Sequence, residues 1–140
     1  MQLNDFAEEF GLARADAENW LARVELRTDY QPTARGRSRE FSRENVVELA
    51  MIASLVAVGF RPSKAVVWAE IVVDEYRNRR SAPEFLAFPA QKFERCISGD
   101  EVSPDQLAEL AALSPFRAAI LINSGDVVRR VESLFTEAAL

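Results

Sequence analysis

Residues 6–21 read FAEEFGLARADAENWL, and the fold turns on whether they form two crossing helices. Phe6, Ala7 and Phe10 lie at helical spacing, Gly11 and Leu12 follow, and Ala17, Trp20 and Leu21 take up the helical period again. Glycine adopts the positive φ that ends a helix, and the apolar residue after it closes the turn. A small alanine lets two helices cross closely. The pattern predicts one helix over 4–10 with Asn4 as its N-cap, a tight turn, and a second helix over roughly 14–24, in the spacing of a helix-turn-helix. Arg14, Ala15, Asp16, Glu18, Asn19 and Arg23 then face outward on the second helix, where such a helix can present polar groups to base edges in a major groove. A plain αα-hairpin inside a helical domain suits these two helices equally well.

The stretch TARGRSREFSR, residues 33–43, bears on that choice. It gathers Arg35, Arg37, Arg39 and Arg43 around Gly36, with Glu40 opposing them, in a chain that carries 17 Lys+Arg against 22 Asp+Glu. A charge run is most often a solvated loop. A glycine-tipped, arginine-bearing segment directly after a helix-turn-helix is, however, the arrangement of a winged helix. Its guanidinium groups pair with phosphates or enter the narrow groove.

Downstream, Ser42 is placed to cap a helix over about 43–57, with Val46, Leu49, Ala50, Ala53 and Leu55 as buried candidates, ending at Gly59 and Phe60. Pro62 fits the first turn of a fourth helix running to about Arg80, with Ala65, Val66, Ala69, Val72, Val73 and Tyr76 as its stripe. Composition changes near residue 80. EFLAFP (84–89) and KFERCIS (92–98) have strand-like length, and Ser103, Pro104 and Gln106 mark a helix start with a capping box. FRAAILINS (116–124) has the near-continuous apolarity of a strand covered on both faces, and an amphipathic helix follows through Val127, Val128, Val131, Leu134 and Phe135. The expected fold is α+β. A helical winged helix-turn-helix domain over 1–80 leads into a small β-β-α-β-α unit over 81–140.

The N-terminal half resembles the MerR-type winged helix-turn-helix of bacterial transcription regulators. FAEEFGL, Trp20, GRSREFS and ENVVELAMIASLVAVGFRPSKAV carry the resemblance, in that order, over about residues 3–77. It implies a regulator that binds specific double-stranded DNA. On this reading Arg14, Ala15, Glu18, Asn19 and Arg23 lie in the major groove, and Arg35, Arg37, Arg39 and Arg43 on the backbone or minor groove. The alternative is a protein-interaction module, an antitoxin or adaptor, that grips protein with the same winged helix.

Other functions find less support. There is no histidine and one cysteine, Cys96, which excludes a Cys/His metal site and removes the commonest general base; no enzyme activity or cofactor is expected. INSGD (122–126) reads as a plain strand–helix turn, because Asp126 would repel an anion there. The N-terminal residues lack signal-peptide character, so a cytoplasmic protein is expected. Dimerisation is expected through the C-terminal half, either at a sheet edge or through Val131, Leu134 and Phe135.

Overall fold

The computed structural model describes residues 1–32 and 39–138. Among them it has six helices and one three-stranded antiparallel sheet, an α+β fold. Helix α1 (Leu3–Ala7) starts ahead of the expected Asn4 cap, at Gln2, because the Asp5 carboxylate accepts the Gln2 N–H at 2.7 Å. It also stops short of residue 10. Leu12 N–H donates to Ala7 C=O at 2.8 Å and Gly11 N–H to Glu8 C=O at 3.3 Å, with Gly11 at φ +60°. That bond pair is a Schellman close, and the positive φ explains the glycine. Helix α2 (Arg14–Arg23) then buries Ala17 and Trp20.

Helix α3 (Arg43–Ala57) is capped reciprocally: Ser42 Oγ accepts the Asn45 N–H at 3.1 Å and Asn45 Oδ1 accepts the Ser42 N–H at 2.9 Å. It ends in the same Schellman geometry, Phe60 N–H to Leu55 C=O at 3.1 Å, with Gly59 at φ +109°. Helix α4 (Pro62–Arg79) opens on its proline and ends without glycine, on Arg80 in a left-handed conformation.

Strand β1 (Phe85–Pro89) is the sheet's centre. It pairs on one side with β2 (Ile97–Gly99) and on the other with β3 (Ala119–Ile122), both antiparallel, with Leu86 opposite both Ser98 and Ile122. Helix α5 (Pro104–Leu113), capped by Ser103 and Gln106, follows β2, and α6 (Ser124–Ala138) follows β3. The strand buried on both faces is therefore β1, not the 116–124 run. Phe85 and Ala87 point to Leu110 of α5, while Leu86 and Phe88 join the main core on the other face. Strand β3 lies at an edge, with Leu121 42% exposed. The strand expected over 92–98 contracts to its last residues and Gly99. Gln91 turns the chain at φ +65°, and Phe93 stacks on Phe60 at 3.8 Å between ring centres.

The main core runs through the whole chain. It joins Leu3, Phe6 and Trp20 to the α3 and α4 stripes, to Leu86 and Phe88, and to Val127, Val128 and Val131 of α6. Helix α3 is its axis, with Val46, Val47, Leu49, Ala50, Met51, Ile52 and Leu55 all fully buried. No helix among the described residues is long and apolar enough to cross a membrane.

Candidate nucleic-acid interface

Helix α2 is amphipathic by position. Ala17 and Trp20 seat it on the core, which turns Arg14, Ala15, Glu18, Asn19 and Arg23 to solvent together. Ala15 and Asn19, four residues apart, lie along the middle of that face. Arg14 Nε donates to Glu18 Oε1 at 3.1 Å, with the two side chains 64% and 59% exposed. So exposed a pair contributes only about 0.3–0.5 kcal/mol, and a phosphate can displace the carboxylate.

The aromatic residues that flank the arginine segment meet. Tyr30 precedes it and Phe41 closes it, and their rings meet edge-on at 6.1 Å. Phe41 is itself buried, packs edge-on against Phe6 of α1 at 5.5 Å, and donates its N–H to Met1 C=O at 2.8 Å. Arg35 and Arg37 lie outside the described residues. Arg39 is partly buried and its charge reaches the Tyr30 hydroxyl. Between α2 and α3 the described residues contain no strand.

Two groups that the sequence did not single out hold the root of this segment. Glu48, fully buried in α3, accepts the Arg27 N–H at 2.7 Å, the Thr28 N–H at 3.2 Å, the Thr28 hydroxyl at 2.7 Å and the Tyr30 hydroxyl at 2.9 Å. Asn45, one turn earlier, donates from Nδ2 to Thr28 Oγ1 at 2.8 Å and to Asp29 C=O at 3.1 Å. Burial, then the Glu48 charge, pushes the Tyr30 hydroxyl far above its ordinary range. A carboxylate with four donors tolerates burial that an unpaired one would not. The available signal was compositional. Glu48 interrupts a run, residues 46–53, that is otherwise apolar all round a helix and so must be buried on every side.

Arg43 is the first residue of α3. Its Nη1 donates to Glu132 of α6 at 2.8 Å and its guanidinium lies over the Phe135 ring at 5.4 Å, so it ties α3 to α6. Arg130 does the same for the turn after α1, donating to Glu9 Oε1 at 2.9 Å and its carbonyl at 2.7 Å while covering Phe10. Val131 is fully buried within the chain, and half-buried Leu134 and Phe135 pack on the same core, so much of the α6 face expected to join two copies is already covered.

The remaining sequence candidates take structural parts. Burial pushes the Cys96 thiol up to about 11, away from nucleophilic character. The Gly125 N–H donates to Glu84 C=O, and the Glu84 carboxylate packs against Gly125. Trp68 of α4 is structural too, packing edge-on against Phe88 and donating its indole N–H to Phe93 C=O at 2.7 Å. Compared with family models, curated proteins and solved structures, the chain finds no match.

Proposed function

We propose that the protein is a sequence-specific DNA-binding transcription regulator of the MerR-type winged helix design. Helix α2 enters the major groove, and the arginine-bearing segment follows the backbone or the minor groove. The observation that carries this reading is the closure of the segment at its root. The Tyr30–Phe41 contact, anchored to Glu48 and Asn45 below and to Phe6 beside, holds together, beside α1, the two aromatic residues that flank the arginine cluster in sequence. Holding those flanking residues beside the helix pair is what two neighbouring features of one duplex would require.

The net charge of −5 does not oppose this reading. At physiological salt, fields are screened beyond about 8 Å, so a phosphate senses the local cluster rather than the whole chain. The acidic remainder weakens non-specific binding and so favours discrimination. Two half-sites call for a dimer. With the α6 face largely covered, a sheet edge would serve, the outer edge of β2 or that of β3, whose Leu121 is exposed.

A gel-shift titration against DNA upstream of the protein's own operon, at two salt concentrations, tests the proposal. The expected result is a discrete complex that survives unrelated competitor DNA and weakens as salt rises. No complex at the lower salt would contradict it, and the protein-gripping module would then be the better reading.

A further inference from the structure

A groove of about 700 Å3 lies on the side of the molecule where the α3–α4 turn meets the end of β1 and the start of β3. That volume falls within the range of small-molecule sites, about 300–1,000 Å3. Its apolar lining includes Val58, Phe93, Phe116 and Ile120. Phe116 is 67% exposed and belongs to neither core cluster, so the fold gains little from an aromatic ring there. The turn that carries it is nonetheless firmly built. Buried Ser114 donates its hydroxyl to Ala90 C=O at 2.8 Å and accepts the Phe116 N–H at 3.1 Å, and Arg117 closes the turn with φ +52°. The lining also includes Arg61 and Lys64, whose side chains make no hydrogen bond or ion pair among the described residues. Glu94 is the one carboxylate in the lining, so the groove is net positive in a net negative chain.

We propose that this groove binds a small amphipathic anion, an aryl carboxylate or sulfonate. Its ring would lie against Phe116 and Phe93, and its charge would be met by Arg61 and Lys64. Charge complementarity selects this occupant. An uncharged aromatic gains the apolar contact alone, whereas an anion adds charge-assisted hydrogen bonds from two cations that have no partner to give up. The inference does not depend on DNA binding.

The test is a fluorescence titration of the full chain with 8-anilinonaphthalene-1-sulfonate, and in parallel with its uncharged parent, N-phenyl-1-naphthylamine. Saturable one-to-one binding of the sulfonate is expected. The Arg61→Ala/Lys64→Ala variant should weaken it about tenfold or more, the loss of at least one charge-assisted bond, and leave the uncharged probe unchanged. Phe116→Ala should weaken both probes. All three side chains reach the surface, and thermal melts matching the wild type confirm that the variants fold. Amide chemical-shift changes on adding the sulfonate should fall within residues 58–64, 90–94 and 116–120. Absence of saturable binding, equal sulfonate affinity in the double variant, or shifts confined to other residues would overturn the proposal.

Discussion

Glu48 shows how one residue can decide what a surface presents. Its carboxylate takes four donors from the backbone and side chains of residues 27–30, so its loss strands several buried polar groups at once. Glu48→Gln keeps the shape but turns one acceptor into a donor. We expect it to lower stability by about 2–3 kcal/mol, and Tyr30→Phe by about 1 kcal/mol, in urea unfolding. Midpoints equal to wild type in both variants would show that the network is not held in solution. The chain's two tyrosines offer an independent check. Burial, then the Glu132 carboxylate that accepts its hydroxyl, pushes Tyr76 up to about 12, and Tyr30 is raised further still. Both folded values lie above the unfolded value of about 10, so the protonated forms stabilise the fold fully at neutral pH. That stability is lost as pH rises from about 10 through the folded values. Absorbance at 295 nm should therefore show little tyrosinate at pH 10, then a steep rise that coincides with loss of the circular dichroism signal. A gradual titration centred at 10 with the fold intact would contradict the burial.

Among the elements, α2 carries the proposed contact to base edges, and α3 holds residues 27–30 through Glu48 and Asn45. Asn19 lies mid-face on α2 and can make a bidentate contact to adenine. Asn19→Ala is expected to relax specificity at one base position by about 1–3 kcal/mol and to leave non-specific binding unchanged. A binding-site selection returning the wild-type motif at full strength would exclude that contact. Arg43 behaves differently because its partner is Glu132 on α6. Arg43→Ala should cost about 0.5–1 kcal/mol of stability in denaturant titration and leave the salt dependence of DNA binding unchanged. A flattened salt dependence would put Arg43 on phosphate. Signals confined to a single turn were legible in the sequence: the Ser42 and Ser103 caps, Pro62 at the start of α4, and the glycines closing α1 and α3. What depends on distant docking was not. The 116–124 run is as apolar as a central strand, yet it lies at the edge, because α5 and α6 cover β1 from its two faces. For the same reason the outward residues of α2 could be read from periodicity, whereas the parts played by Glu48 and Arg43 required sight of the partners that fold onto them.

At the scale of the whole molecule, α6 shares one core with the N-terminal helices. Cutting the chain after residue 80 would uncover the α3 surface that Val127, Val128 and Val131 bury. Residues 1–80 alone should therefore lack a cooperative thermal transition, and Val131→Ala in the full chain should cost about 2 kcal/mol. A well-folded fragment melting like the full chain would show that α6 is dispensable. An intact core is also what holds α2 and the Tyr30–Phe41 contact in place, so the proposed DNA binding would be a property of the complete chain. The salt dependence of affinity for duplex DNA, compared between wild type and the Arg35→Ala/Arg37→Ala/Arg39→Ala variant, tests most directly the central proposal that the arginine segment contacts DNA. Each phosphate contact contributes about 0.9 to the log–log slope. The account predicts weaker binding to every sequence and a slope shallower by up to about 2.7 in the triple variant. Unchanged affinity with an unchanged slope would contradict it.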